Sequence, residues 1–289
     1  MQVSRHEVPA GHGGQEVVER LAGVVREMVA GMPDFDYDRA EALRYALSLA
    51  KRRCVQDPRC ALNETWHAWV LPMQIGSALF ESATARSGPV TCRVGTEAGE
   101  VLELPATGPQ EYLHPVLWLE AFYLAVICRE GERVAELAEV PTQFLRDSGV
   151  MIDEYVYDWI DALKLASAGR PRAWESLLRA IEGTVPERTR AASAEVMLKL
   201  LHPPLELFQL FVRREVAAFN ESLATALTWH REYWTGNEAR STNPEGFVAP
   251  ALLAVAVLAR DAGMEIEVES EYLPHHLLHG TWVGEFPTR

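Results

Sequence analysis

One stretch decides the fold of this chain, and it reads Leu113-His-Pro-Val-Leu-Trp-Leu-Glu-Ala-Phe-Tyr-Leu-Ala-Val-Ile-Cys128. Apolar residues fill this stretch except at His114, Pro115 and Glu120. A second apolar run, interrupted by a proline, covers residues 247–259. Both runs are shorter than the roughly 20 residues that a helix needs to cross a bilayer. We therefore expect two buried helices of a water-soluble protein.

The composition excludes several classes of protein. The 289 residues are 48% hydrophobic and 24% charged, which is typical of globular proteins and not of disordered, collagen-like or low-complexity chains. With 27 basic and 41 acidic residues, the net charge is −14, so the field of the protein repels phosphate groups. We expect neither nucleic acid nor a membrane among the partners, whereas a basic protein would be attracted.

The N-terminal residues and the cysteines carry no signal for export or for metal binding. Residues 1–13 contain Pro9, Gly11 and Gly13 and lack the apolar core of a signal peptide, which predicts a flexible leader and a cytoplasmic protein. Residues 14–289 are then expected to form a single, mostly α-helical domain. Cys54 and Cys60 are six residues apart, and the spacing of the four cysteines matches no zinc or redox motif. We expect buried free thiols and no cofactor.

Helical periodicity covers most of the chain, with two exceptions. Val90–Val94 and Glu100–Leu104 alternate with a period near two around a glycine-containing link, which predicts a β-hairpin near 90–104. Met264–Glu271 alternates strictly between apolar and acidic residues, which predicts an edge strand or an extended C-terminal segment. The sequence therefore indicates a mainly α fold with these two additions.

Three segments in the second half of the chain can be aligned with one another. Each follows a long apolar helix and a short polar break, and they are Glu130–Leu137, Arg170–Leu177 and Glu215–Ser222. The spacing between them suits stacked helical hairpins, although the period drifts and no fixed motif repeats. An irregular helical bundle and a short α-solenoid of helical hairpins therefore both remain open.

No common catalytic motif is present: the sequence has no P-loop, no dinucleotide-binding glycine pattern and no HExxH, GxSxG or EF-hand motif. His275 and His279 would share one helical face and could chelate a metal, with Glu271 as the nearest acidic residue. A turn that packs Leu277 and Leu278 inward is the favoured interpretation. We expect no catalytic residue and no metal site.

Two sets of acidic residues are candidate partner-binding surfaces. The first set has helical spacing and comprises Glu154, Asp158 and Asp161. The second set would align on one side of an extended segment and comprises Glu265, Glu267, Glu269 and Glu271. Either surface would speed the association of a cationic partner. The alternatives are a solvated helix face for the first set and protection of an exposed strand edge for the second.

Several segments are distinctive, and they are Val3–Glu7, Met73–Phe80, Leu104–Gln110, Asp153–Trp159, Asp261–Gly263, Ile266–Pro274 and Trp282–Pro287. In this order, and over nearly the whole chain, they resemble the immunity protein 49 family of bacterial polymorphic toxin systems. The resemblance carries over no catalytic or cofactor-binding residue.

The resemblance implies a non-enzymatic, mostly α-helical cytoplasmic protein that binds and inhibits a cognate toxin. Many toxins of such systems are nucleases with a basic cleft, which an acidic inhibitor would complement. Two alternatives are a helical-repeat scaffold or regulator with a non-toxin partner, and an enzyme that uses the histidine and carboxylate clusters.

Overall fold

Helices make up most of the chain in the computed structural model, which describes residues 1–95, 100–185, 188–286 and 288. The α-helices are α1 (Ala10–Gly13), α2 (Gln15–Gly31), α3 (Asp36–Gln56), α4 (Asn63–Thr84), α5 (Pro115–Ile127), α6 (Gly131–Glu139), α7 (Thr142–Arg146), α8 (Glu154–Ser167), α9 (Ala173–Gly183), α10 (Ala194–Val196), α11 (Pro203–Val212), α12 (Val216–Trp234), α13 (Glu238–Ser241), α14 (Pro250–Asp261) and α15 (His275–His279). A π-helical turn covers Met197–Leu201, and a 3₁₀ turn covers Pro244–Gly246. The strands β1 (Val90–Arg93) and β2 (Val101–Leu104) form one antiparallel hairpin. The predicted mainly α fold with one β-hairpin is confirmed.

The helix α5 lies at the centre of the fold. Its residues 121–127 are all buried, and α4, α6, α8 and α14 pack around it. The helix begins with Pro115, which needs no hydrogen bond from its nitrogen, and the Nδ1 atom of His114 accepts one from the Leu117 backbone at 3.2 Å. Because α5 has almost no polar surface to expose, the chain buries most of it, although Val116 in its first turn is exposed. Among the described residues, no helix has the length and apolarity that a membrane span requires.

Helices α4 and α5 approach each other closely at Gly76. A methyl group placed on Gly76 would lie 2.8 Å from Cβ and 3.2 Å from Cα of Ala121. The absence of a side chain at Gly76 therefore sets how deeply α5 can sit against α4. Protein interiors are close-packed, so such a contact has no room for an added carbon unless the backbone moves.

Three helical hairpins share one turn geometry. Arg129, Gly169 and Arg214 adopt the left-handed conformation, with φ angles of 59°, 65° and 58°. The next backbone N–H in each turn donates to a carbonyl five residues earlier, at Ala125, Leu165 and Leu210. This is the Schellman arrangement, which ends one helix and redirects the chain into the next. The three segments aligned from the sequence therefore follow equivalent turns.

These hairpins, α5–α6, α8–α9 and α11–α12, pack in chain order, since α6 contacts α8 and α9 contacts α11. The later helix α14 packs across α5, α11 and α12. The hairpins are thus stacked as in a solenoid, while α14 fills the space beside them as in a bundle. The architecture combines the two arrangements that the sequence left open.

The β-hairpin packs on α4, which β1 and β2 both contact. Val90 pairs with Leu104 and Arg93 with Val101 in the hairpin. Cys92 and Leu104 are buried. The predicted turn at 95–99 falls largely on residues 96–99, which lie outside the described residues.

All four cysteines are buried free thiols, as expected. Burial raises the pKa of the Cys54 thiol to about 12, although the Trp69 Nε1–H group donates a hydrogen bond to its sulfur at 3.3 Å. These thiols are therefore protonated at neutral pH and act as small apolar side chains.

The N-terminal residues lie beside the C-terminal part of the chain. Gln2 forms a parallel β-bridge with Glu269, and the Val3 backbone N–H donates to the Glu269 carbonyl at 3.0 Å. The side chain of His6 is buried, and its Nδ1 atom is 2.8 Å from the Tyr272 hydroxyl. The predicted leader thus begins with residues that pack on the domain, while its flexibility and the boundary at residue 13 stay predictions.

The contact between α4 and α5 gives a test with an internal reference. Gly23 also lies within a helix, but a methyl group there would meet nothing within 4 Å. Gly76→Ala and Gly23→Ala bring the same gain in helix propensity, about 1 kcal/mol. The difference between their free energies of unfolding therefore measures the contact between α4 and α5. We expect Gly76→Ala to be less stable than Gly23→Ala by about 1–3 kcal/mol in urea unfolding. Equal free energies of unfolding would contradict the close packing of α4 on α5.

Candidate functional site

The second acidic set lies on an extended segment, residues 264–271, as predicted. Met264 and Val268 are buried, whereas Glu265, Glu267 and Glu269 are exposed. The alternation of a strand therefore turns the apolar side chains into the core and the carboxylates into water. Within the described residues, none of these three carboxylates forms an ion pair.

The backbone of this segment is held by one buried side chain, Asn220 of α12. The Nδ2 amide of Asn220 donates to the Glu265 carbonyl at 2.9 Å, and its Oδ1 atom accepts from the Glu267 N–H at 2.7 Å. An asparagine side chain therefore supplies the two hydrogen bonds that a neighbouring strand would make. On its other side, the segment is bonded at Glu269 to residues 1–3. The three exposed carboxylates thus project from an anchored backbone.

Glu271 differs from the other members of the set. It is half-buried, and its carboxylate accepts a hydrogen bond from the Arg5 backbone N–H at 2.9 Å. The Arg5 guanidinium donates in turn to the Cys54 carbonyl at 2.8 Å. Glu271 therefore helps to fix the N-terminal residues, and less of its charge faces solvent.

The first acidic set lies on α8, where the structure gives each carboxylate a local partner. Arg146 of α7 forms a bidentate pair with Glu154 at 2.6 and 2.8 Å. Arg179 of α9 contacts Asp158 at 2.8 Å, and the Thr142 hydroxyl donates to Asp161 at 2.6 Å. The stripe therefore connects α8 to its neighbours, and two of its three charges are paired with arginine.

The histidine cluster near the C-terminal end forms the packed turn that the sequence favoured. Leu277 and Leu278 are buried in α15, and the rings of His275 and His279 stack with centroids 4.1 Å apart. Burial, together with nearby Arg260, lowers the pKa of His279 to about 4. Among the described residues, no group of three or more histidine, cysteine or acidic side chains is arranged to hold a metal ion.

His230 joins α12 to the segments around it. The ring is buried, its Nε2 atom is 3.1 Å from the Gly246 carbonyl, and it packs edge-on against Tyr272 with centroids 4.8 Å apart. Burial lowers the pKa of His230 to about 3, so the imidazole stays neutral at pH 7. Nothing in this arrangement orients a nucleophile or a substrate, and its role is to hold the structure together.

Sequence reasoning missed one feature, a cavity of about 410 Å³ between α3, α5, α8, α11 and α14. Lys51, Glu120 and Glu245 meet in its otherwise mostly apolar wall. The side chain of Lys51 is only 2% exposed, and its Nζ atom is 2.5 Å from the Glu245 carboxylate. In the sequence, the one indication of this cavity is Glu120, the single charged residue of the apolar helix α5. No local pattern points to Lys51 or Glu245, which are distant in sequence.

Comparison with protein-family models assigns the chain to a known family. A family model described as Immunity protein 49 matches residues 57–277, most of the chain. The matched region includes α8 and the extended segment 264–271 and therefore both acidic sets. No curated protein and no solved structure matches the chain. The family resemblance inferred from the sequence is confirmed.

The hydrogen bonds of Asn220 predict a specific local effect. Asn220→Ala removes the partners of the Glu265 carbonyl and the Glu267 N–H, and each lost hydrogen bond costs about 0.5–1.5 kcal/mol. We expect a lower free energy of unfolding and faster hydrogen exchange at the Glu267 amide. Thr225→Ala, an exposed position on the same helix, is the control and should change stability by less than about 0.5 kcal/mol. Unchanged exchange at Glu267 in Asn220→Ala would contradict the proposed anchoring.

The neutral state of His230 predicts a sensitivity to acid. The pKa is about 3 in the folded protein and about 6.5 in the unfolded chain. The unfolded state therefore binds the extra proton first, and stability from this group is lost as the pH falls from 6.5 towards 3. Between pH 7 and pH 5 the loss is about 2 kcal/mol.

His230→Gln keeps an N–H donor near the Gly246 carbonyl and cannot titrate. Urea unfolding of both proteins at several pH values should show a shallower decline for this variant. Parallel declines would rule out His230 as the source of the acid sensitivity.

Proposed function

Since the chain belongs to the immunity protein 49 family, we propose that it neutralises a cognate toxin of a bacterial polymorphic toxin system by binding it in the cytoplasm. The match of the family model over residues 57–277 carries this proposal. Binding requires no chemistry from the inhibitor, and we assign it no catalytic residue and no cofactor. A net charge of −14 suits a partner with a basic surface, such as a nuclease whose cleft binds phosphate.

We place the main contact on Glu265, Glu267 and Glu269. Their carboxylates are exposed and project from a segment that Asn220 and the N-terminal residues hold in place. A preorganised surface loses less conformational entropy when it binds. Glu271 borders this surface, although its carboxylate also serves the N-terminal residues.

The stripe of Glu154, Asp158 and Asp161 is a second proposed contact. Arg146 and Arg179 already bond to two of these carboxylates, so a toxin would have to compete with them. Exposed ion pairs of this kind contribute at most about 1 kcal/mol, and exchange of partners is therefore feasible. We expect this stripe to contribute less to binding than the extended segment.

A charge-neutralising variant tests the proposal in cells. The triple substitution Glu265→Gln, Glu267→Gln and Glu269→Gln should weaken protection against the toxin domain encoded beside this gene. The control neutralises three exposed glutamates of α2, Glu16, Glu19 and Glu27, and therefore changes the net charge equally. Protection should survive in the control, and both proteins should unfold at the same urea concentration as the parent.

Full protection by the first triple variant would exclude the extended segment as the main contact. The corresponding variant of Glu154, Asp158 and Asp161 then tests α8. Failure of the unaltered protein to protect cells or to co-purify with that toxin domain would contradict the proposed function itself.

The electrostatic part of the proposal has its own measurement. The association rate between the protein and the toxin domain should fall as salt rises, because the Debye length is about 10 Å at 0.1 M ionic strength. Neutralising Glu265, Glu267 and Glu269 should flatten this dependence. An association rate that does not change with salt would exclude electrostatic steering, and short-range contacts would then account for the affinity.

A further inference from the structure

The acidic side chain of Glu120 is unusual for its position. It interrupts the apolar helix α5 at the centre of the fold, and within the described residues its carboxyl group makes no hydrogen bond. Glu120 is half-buried, and a carboxyl group that is partly removed from water is stabilised by a hydrogen-bond or ionic partner. The side chain lines the 410 Å³ cavity, and its partner can therefore come from that space.

The neighbouring lysine does not provide the missing partner. The Lys51 ammonium is bonded to the Glu245 carboxylate at 2.5 Å. Within the wall of the 410 Å³ cavity, the cluster therefore contains two carboxyl groups and one ammonium group. Asp153, the remaining acidic residue in the cavity wall, accepts from the backbone N–H groups of Arg190 and Ala191 at 2.9 and 3.1 Å.

The rest of the cavity is apolar. Leucine, isoleucine, valine, proline and aromatic side chains form most of the wall, and they come from α5, α8, α11, α14 and the π-helical turn. Cavities of about 300–1,000 Å³ with this lining and a few convergent polar groups are typical small-molecule sites. Val116 lies at the border and is 42% exposed, which leaves an apolar rim open to solvent.

We propose that this cavity binds a small amphiphilic amine, with its ammonium group on the Glu120 carboxylate and its apolar chain between α5, α8 and α11. The apolar wall excludes a ligand that is polar throughout, because its groups would lose water without replacement. The excess carboxyl group excludes an apolar acid, because a third carboxylate would lie near Glu120 and Glu245. An ammonium ion supplies both the charge and the hydrogen-bond donors that the cluster lacks.

The protonation of Glu120 gives this site a characteristic pH dependence. Burial raises the pKa of Glu120 to about 7, the Lys51 ammonium opposes the rise, and Glu245 adds to it. Glu120 also borders a second cavity of about 950 Å³, between α2, α3, α5 and residues 243–245. The other charged or titratable groups in the walls of the two cavities are Tyr123, Asp153, Tyr155, Arg20, Glu41, Arg44, Tyr45, Arg52, Tyr112 and His114. A bound ammonium ion favours the ionised carboxylate, so binding releases a proton and becomes stronger as the pH rises.

Three probes of equal chain length test the proposal with the full-length protein: decylammonium, decanol and decanoate. We expect decylammonium to bind about tenfold or more tightly than decanol, and decanoate to bind most weakly. Glu120→Gln keeps the shape of the side chain and removes its charge. It should weaken binding of decylammonium about tenfold and leave binding of decanol unchanged. Glu111→Gln, an exposed position outside the cavity, should change neither affinity.

A second measurement uses the unaltered protein and needs no variant to fold. The affinity for decylammonium should rise about tenfold between pH 6 and pH 8, because Glu120 ionises over that range while the amine stays protonated. Calorimetry measures both series. Equal affinity for the three probes, tighter binding of decanoate, no binding of decylammonium, or an affinity independent of pH would each overturn the proposal.

Discussion

The burial of α5, a helix with almost no polar surface, is the constraint on which the rest of this structure depends. Helices α4, α6, α8 and α14 pack around it, and α4 can approach it at Ala121 because Gly76 carries no side chain. The hydrophobic effect drives the burial of α5, and close packing determines which side chains can lie against it. The neighbouring helices α6, α8 and α14 are then needed to cover the rest of this one element.

Turn geometry determines how the remaining helices are arranged around this centre. The left-handed residues Arg129, Gly169 and Arg214 end three helices with the same hydrogen-bond pattern, and each redirects the chain into a second helix. Arg129 has a further role, because its guanidinium donates to the Leu277 and Leu278 carbonyls, each at 2.7 Å. One residue thus both ends α5 and fixes the C-terminal helix α15 against it.

The same architecture separates the acidic residues into three environments. On α8 they bond to arginines and a threonine of adjacent helices, and on the extended segment they face water from a backbone that Asn220 holds. At the cavity, Glu120 lies with the buried Lys51 and with Glu245, whose side chain is 39% exposed. Membership of the immunity protein 49 family makes protein binding the central expectation, and the exposed set is the best placed for it. The cluster at the cavity suits a small cation, because it combines two carboxyl groups with one ammonium group in a mostly apolar wall.

Periodic patterns in the sequence determined the mainly helical fold, the hairpin near 90–104, the buried helix around residue 120 and the acidic face of residues 264–271. These features depend on which side chains recur every two or every 3.6 residues, and that information is local. The family could also be identified from the sequence, although the flexibility of the leader and the contact residues stay predictions. Tertiary structure alone decided which polar side chains meet. Arg146 and Arg179 pair with carboxylates of α8, and Asn220 supplies the hydrogen bonds that a neighbouring strand would make. Lys51, Glu120 and Glu245 converge on one cavity. Such contacts join residues that are far apart in the chain, so they follow from how the helices pack around α5 and not from any local pattern.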